Sequence, residues 1–165
     1  MATMWTVGRL AVTAELVDFH DPAESGPYVR ERGVRVELRE MRQVHAGSIY
    51  ASLRWDLAPA FCRIDLLESR PGAADRMHWH PGMVDGEPGA RSTDADLTVD
   101  PVAWVEARLH APEILLRGVE LDPQVHADAA GLSEEADTIT GWVARGLERM
   151  RRPWPEVTYD ARGLA

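Results

Sequence analysis

The feature that most constrains the fold is an alternation of apolar and polar residues in the N-terminal half of the chain. It is clearest over residues 33–42, where apolar residues alternate with Arg and Glu. Because successive side chains of a strand point to opposite sides, this pattern predicts a strand with one apolar and one polar face. Similar runs at 7–19, 48–56 and 59–67, joined by short connections, predict an antiparallel meander.

A pair of histidines extends this sheet. His78 and His80 are separated by one residue, so both imidazoles would lie on the same strand face. A turn centred on residues 72–73 would place Leu67 opposite His78 and Asp65 opposite His80, whereas a slip by one residue would exchange the two faces. We favour the first register because it places the apolar residues of all the predicted strands on one face of the sheet.

The two faces of the predicted sheet differ sharply in polarity. The apolar face, expected to form the core, holds Val34, Val36, Leu38, Ile49, Leu53, Trp55, Ile64, Leu66, Met77 and Trp79. The polar face holds Arg35, Glu37, Arg39, Tyr50, Ser52, Arg54, Arg63, Asp65, His78 and His80. Such a polar face is either solvated or lines a cavity or interface, which the predicted loop at 21–33 would close.

Helix signals replace strand signals in the C-terminal half. Asp100-Pro101 and Asp122-Pro123 each combine an N-cap residue with a proline in the first helical position. Ser133 is expected to cap the longest helix, at 134–150. The apolar stripe of that helix has helical spacing and consists of Ile139, Trp142 or Val143, Leu147 and Met150.

Together these patterns predict an α+β fold, in which helices pack on one face of an antiparallel meander of four to five strands. A chain of 165 residues that is 45% hydrophobic is expected to form a single globular domain over 1–165. We expect the sheet at about 6–81, an acidic loop at about 82–100, a helical part at about 101–150 and a tail at 151–165.

The histidine pair is also the best candidate for a functional site. His78 and His80 offer two nitrogen ligands, and Asp85 and Glu87 follow closely enough to add carboxylate oxygens. Such a set suits a divalent metal, with zinc, iron or manganese as the candidates. The same histidines are alternatively acid/base groups.

For acid/base chemistry, the predicted catalytic residues are His78 and His80, with Asp65 and Arg63 assisting across the hairpin. The alternative is that two histidines on a solvated strand face have no chemical role. Spacing alone does not separate these interpretations.

One family likeness rests on this region. Gly72, His78, His80 and Asp85 follow one another at a spacing that resembles the first metal motif of the cupins. The resemblance covers about 14 of the 165 residues, with Asp where the family has Glu and with predicted helices where cupin strands supply a third histidine. It implies only where a site would lie.

The charge of the chain limits which partners it is expected to bind, and its cysteine content indicates the cellular compartment. A net charge of −9 lacks the basic field that nucleic acids or anionic membranes require, so we expect neither as a partner. The single cysteine, Cys62, excludes an internal disulfide and fits a reducing cytoplasm. The first residues carry neither the basic nor the apolar region of a signal peptide and no run approaches a membrane span, so we expect a soluble protein that is not exported. All 18 basic residues are arginine, which is typical of high-GC bacterial coding.

Two classes of function stay open. The first is a small cytoplasmic bacterial protein that binds a small molecule or a metal at His78 and His80, and that is an enzyme if it uses acid/base or metal-assisted chemistry. The second is a non-catalytic binding or accessory protein that uses the charged sheet face as a partner surface, with Trp5 or Trp154 as anchors. A homo-oligomer is compatible with either class.

Overall fold

The N-terminal half of the chain forms one antiparallel sheet with the strand order β1-β2-β3-β4-β5. The structure is a computed structural model and describes residues 1–20 and 30–158. Every strand pairs with its neighbour in sequence, which confirms the predicted meander. The strands are β1 (Ala2–Val7), β2 (Leu10–His20), β3 (Arg30–His45), β4 (Arg54–Glu68) and β5 (His78–His80).

Helices follow the sheet and complete the predicted α+β fold. Both predicted aspartate caps are confirmed, since Asp100 accepts a hydrogen bond from Ala103 N and Asp122 accepts one from Gln124 N. None of the helices within the described ranges is long and apolar enough to cross a membrane. The helices are α1 (Ala95–Val99), α2 (Pro101–His110), α3 (Pro123–Asp128) and α4 (Leu132–Met150), with 3-10 turns at Pro112–Ile114 and Ala129–Gly131.

The long helix α4 packs on the apolar face of the sheet. Gly146 permits the close approach, because a Cβ there would lie 2.9 Å from Val34 Cγ2. The predicted Ser133 cap is wrong, since Gly131 occupies the N-cap position and the helix begins before Ser133. The predicted apolar stripe is confirmed, and its buried members are Ile139, Val143, Leu147 and Met150.

The core face of the sheet agrees with the alternation over most of its length. Trp79 is half-buried and contacts Trp104 of α2, with ring centroids 5.8 Å apart. Cys62 is buried in the same core. The other predicted members that are buried are Val34, Val36, Leu38, Ile64, Leu66 and Met77.

The first predicted strand, at 7–19, is β2 for most of its length, but it begins three residues later than predicted because residues 8–9 form the turn of a hairpin with β1. Strands β1 and β2 meet at Gly8 and Arg9, where Gly8 adopts a φ of +56° that favours glycine. Arg9 N also donates a hydrogen bond to the Asp128 carboxylate at 2.7 Å, which ties the turn to α3. The alternation concealed this turn because apolar residues occur on both sides of it.

The predicted strand at 48–56 is wrong. Residues 46–53 form the tip of the long β3–β4 hairpin, and β4 begins only at Arg54. Pro59 does not open a strand but lies inside β4. The pairing register with β3 shifts there, on both sides of Arg39. Such an irregularity tolerates a proline, which has no N–H to donate to the neighbouring strand. Three residues predicted to lie in the core are instead exposed: Ile49 by 88%, Leu53 by 56% and Trp55 by 36%.

The register of β4 and β5 differs from the prediction by two residues. Asp65 lies opposite His78 rather than His80. The connection is wider than a tight turn, and the Asp75 carboxylate closes it by accepting a hydrogen bond from Ser69 N at 3.0 Å. A shift of two residues leaves the faces unchanged, so both histidines stay on the polar face.

The region expected to be an acidic loop is more ordered than its composition indicates. Of the residues in 82–100, Met83 and Leu97 are buried and the last five before Asp100 form α1. Ser92 pairs with Trp79 in an isolated antiparallel bridge. Residues 21–29 of the predicted loop at 21–33 lie outside the described residues, and the remainder of that loop belongs to β3.

Candidate metal centre

Two strands bring an aspartate and two histidines together on the sheet face opposite the helices. One ligand atom from each of Asp65, His78 and His80 lies within 4.8 Å of the others. All three residues are buried, with exposed fractions of 3%, 6% and 5%. Because opposed residues of an antiparallel pair share a face, the pairing of Asp65 with His78 places a carboxylate beside an imidazole.

Backbone carbonyl groups orient both imidazoles. His78 Nδ1 lies 2.8 Å from Arg76 O, and His80 Nδ1 lies 3.1 Å from Gly89 O. A carbonyl oxygen can only accept, so each Nδ1 carries the proton and donates it. Each Nε2 then keeps its lone pair, which is the form that binds a metal. His78 Nε2 is 3.5 Å from Asp65 Oδ2, near the separation of about 3.4 Å between two ligands of one tetrahedral zinc ion.

Burial keeps the two imidazoles neutral. Burial, assisted by the nearby Arg91 and His80, lowers the pKa of His78, although the Arg76 carbonyl and the Asp65 charge both act to raise it. Burial likewise lowers the pKa of His80 against the opposing effect of Asp65. Since the neutral ring is the metal ligand, neither histidine has to lose a proton before binding at neutral pH.

Arg35 orients the aspartate from the neighbouring strand. Arg35 lies opposite Asp65 in the β3–β4 pair, and its Nε donates to Asp65 Oδ1 at 2.7 Å. This hydrogen bond occupies one carboxylate oxygen and leaves Oδ2 beside His78. An outer partner of this kind fixes the direction in which a ligand oxygen points.

Arg63, which the sequence suggests as a catalytic assistant, is held by a glutamate. It lies opposite both His80 and Glu37, and its Nε donates to Glu37 Oε1 at 2.7 Å. Arg39 donates to the other oxygen of Glu37. Burial acts to raise the pKa of Glu37, but the hydrogen bonds and charges of the two arginines outweigh it and lower that pKa. The ionised Glu37 therefore neutralises much of the charge of Arg63.

The three clustered residues line a cavity of about 360 Å³, which we call the histidine cavity. Its volume is near the lower end of the range of about 300–1,000 Å³ for small-molecule sites. The other lining residues combine charged and apolar side chains, and they are Phe19, Glu31, Arg35, Arg63, Leu67, Pro88, Gly89 and Arg91.

The structure does not bring the two predicted loop carboxylates into this cluster. Asp85 and Gly86 both have positive φ, +51° and +80°, and Glu87 N donates to Val84 O at 2.9 Å. This is the geometry of an Asp-Gly type I′ turn. Asp85 lines a different cavity, and both carboxylates are exposed at the surface.

Several residues of the histidine cavity are hard to recognise from sequence. Alternation places Arg35 on the polar face but does not distinguish it from its neighbours. Glu31 falls in a stretch predicted to be loop, and Arg91 and Gly89 follow no periodic pattern. Gly89 and Arg91 line the cavity only because residues 82–92 fold against β5, and the local sequence carries no signal for that packing.

A second group of metal-ligating residue types lies on the helices. Glu106 and His110 of α2 and Asp137 of α4 offer ligand atoms within 4.8 Å of one another. His110 and Asp137 are exposed and Glu106 is half-buried. Because exposed acidic groups are poorly held, this group is a weaker candidate than the buried one.

Comparisons of the chain with protein-family models, with curated proteins and with solved structures found no match. The likeness to the cupin motif is thus limited to the spacing of Gly72, His78, His80 and Asp85. The described sheet is open and covered by helices, whereas cupins are double-sheet jelly rolls. The function is therefore argued from the chemistry of the site.

Proposed function

We propose that the protein binds one divalent metal ion through His78, His80 and Asp65 and uses it for chemistry on a small molecule in the histidine cavity. The observation that carries this proposal is the orientation of the two imidazoles. Each Nδ1 donates to a backbone carbonyl group, so both rings offer Nε2 from a buried site that also holds a carboxylate.

The ligand set favours zinc or iron(II), with manganese as a weaker candidate. Two imidazoles and one carboxylate are ligands of catalytic zinc sites and also form the facial triad of non-haem iron(II) sites. Three protein ligands leave coordination positions for water and substrate. A bound metal would lower the pKa of that water or polarise a substrate oxygen.

The surrounding residues have supporting roles in this proposal. Arg35 orients Asp65, and the pair Arg63 and Glu37 packs beside His80. Without a metal, the contact between His78 and Asp65 would still suit acid/base chemistry. Metal content therefore decides between these two uses of the same residues.

The proposed setting is the reducing cytoplasm of a bacterium, with a small molecule as the partner. A free, buried cysteine supports a reducing compartment. The net charge of −9 supports the exclusion of nucleic acids and anionic membranes as partners. An assembly of several copies is compatible with this proposal.

Elemental analysis of protein purified without an affinity tag tests the metal. We expect about one equivalent of zinc, iron or manganese per chain, lost in His78→Ala and His80→Ala. His110→Ala, which removes the histidine of the second group, is the matched control and should keep the metal. A folded wild-type protein that holds no metal, and whose thermal stability does not respond to added zinc, iron(II) or manganese, would contradict the proposal.

A further inference from the structure

We propose that Arg91 binds a carboxylate group and that the ligand of the histidine cavity is a small organic acid. This inference deepens the proposed function, on which it rests for the metal. It concerns a residue outside the ligand set, so it can fail while metal binding stands.

The first argument is the position of Arg91. Trp79 N donates to Ser92 O at 3.0 Å and Ser92 N donates to Trp79 O at 2.8 Å, which fixes an antiparallel bridge between β5 and this segment. Because the bridge is antiparallel, His80, one residue after Trp79, lies opposite Arg91, one residue before Ser92. Arg91 therefore belongs to the same face as His80. It lines the histidine cavity, where the carbonyl of the nearby Gly89 accepts from His80.

The second argument is that Arg91 is uncommitted. Arg35 is bound by Asp65 and Arg63 is bound by Glu37. Within residues 1–20 and 30–158, no hydrogen bond or ion pair of the Arg91 side chain is formed, and the residue is exposed at the cavity rim. Its guanidinium group therefore has its donors free for a ligand.

The third argument is charge. Arg35 and Arg63 are paired with Asp65 and Glu37, so Arg91 and Glu31 are the remaining charged side chains of the cavity wall. A divalent metal would add two positive charges. With the metal bound, the cavity would be cationic although the chain has a net charge of −9. It would then select an anion, because local charges and low-dielectric walls dominate the potential inside a cleft.

The fourth argument concerns the kind of anion. The planar guanidinium fork matches a carboxylate with two parallel hydrogen bonds. The side chains of Phe19, Leu67 and Pro88 provide apolar wall for the carbon skeleton. A volume of about 360 Å³ restricts that skeleton to a small one. The acid group would face Arg91 while another oxygen of the ligand reached the metal.

The experiment is a calorimetric titration of zinc-loaded full-length protein with propionate, succinate and benzoate. The matched neutral probes are propionamide, succinamide and benzamide, and inorganic phosphate tests the competing anion. We expect at least one carboxylate to bind about tenfold or more tightly than its amide. Arg91→Gln should weaken that binding by about 10- to 100-fold, the range for loss of a charge-assisted hydrogen-bonded pair, and Arg91→Lys should be intermediate.

Controls separate this inference from the proposed metal site. Arg117→Gln removes an arginine that lines a different cavity and should change nothing. Zinc content is measured in every variant, and Arg91→Gln should retain it. If the protein binds no zinc, the same titration on metal-free protein still tests Arg91. The inference would be overturned if acids and amides bound equally well, or if wild type and Arg91→Gln bound the acids equally well. Tighter binding of phosphate than of every carboxylate, or no binding of any probe, would also overturn it.

Discussion

Asp65 lies directly opposite His78 in the β4–β5 hairpin, and the carboxylate Oδ2 is 3.5 Å from the imidazole Nε2. The two groups share one face because they oppose each other across an antiparallel pair. This contact adds a carboxylate to the pair of histidines and completes a group of three residues that could bind a metal.

Asp65→Asn should lower the affinity for zinc by about 100-fold or more, because the loss of an outer partner of a ligand alone costs about 10- to 100-fold. The amide keeps the size of the side chain but removes its charge. The measurement is a competition titration against a chromophoric chelator. Asp137→Asn, in the exposed second group, is the matched control. Equal zinc affinity in wild type and Asp65→Asn would remove Asp65 from the ligand set.

Arg35→Gln should destabilise the metal-free protein by about 2 kcal/mol, because the buried Asp65 carboxylate loses its charged partner. Adding Asp65→Asn should recover part of that loss, since no buried charge is then left unpaired. Urea denaturation of the two single variants and the double variant gives the coupling free energy. Strictly additive changes would show that Arg35 and Asp65 do not stabilise each other.

The free energy of unfolding of the metal-free protein should fall as the pH decreases below about 6.5, the ordinary histidine value. Burial lowers the pKa of His78 and of His80 in the folded state. As the pH falls, the histidines of the unfolded chain therefore take up protons before those of the folded protein. The stabilisation by the neutral histidines is complete above the unfolded pKa and is lost as the pH falls through the folded pKa values.

Urea denaturation at pH 7.5, 6.5 and 5.5 measures this dependence. The double variant His78→Gln/His80→Gln should show a shallower fall over the same range. Glu37 also makes the free energy of unfolding depend on pH, because its pKa is lowered in the folded protein. Its effect falls at a lower pH than that of the histidines, because a carboxylate titrates below an imidazole. An identical pH dependence in wild type and the double variant would contradict the assignment to these histidines.

Gly33→Ala should destabilise the sheet by about 2 kcal/mol, since overpacking that moves a backbone costs about 1–3 kcal/mol. A Cβ at Gly33 would lie 2.0 Å from the Leu66 carbonyl oxygen, so β3 and β4 would have to separate beside the site. Gly141→Ala in α4 is the control, because its Cβ would meet only the flexible end of Arg145, and it should stabilise by about 0.5–1 kcal/mol. Thermal or urea denaturation compares the two. A neutral Gly33→Ala would mean that the strands adjust freely.

Cys62 should not react with a thiol reagent in the folded protein. Burial raises its pKa to about 12, so almost no thiolate forms at neutral pH, and the sulfur has no access to solvent. Labelling with a chromogenic disulfide reagent at pH 8 should be slow in buffer and complete in 6 M urea. Rapid labelling without denaturant would show that the core around β4 opens easily. Because the chain has one cysteine, the signal reports on this position alone.

Part of the candidate site could be predicted from sequence because it depends on local geometry. Two residues of a strand separated by one position share a face, which is why His78 and His80 point together. The choice of carboxylate could not be predicted in the same way. Asp85 is near the histidines in sequence but occupies a tight turn, and Asp65 reaches them only because β4 and β5 pair in this register.

The elements that could be predicted from sequence are those whose signals lie within a few residues of one another. These are the strands β2, β3 and β4 along most of their length, the aspartate caps of α2 and α3 and the apolar stripe of α4. Each follows from steric and hydrogen-bonding preferences of neighbouring residues. The tertiary structure alone decided the register of β4 on β5, the exposure of the β3–β4 hairpin tip and the position of Arg91 at the cavity. Those features depend on how loops close and which surfaces pack together, and the free energy of such long-range contacts is not contained in any short stretch of chain.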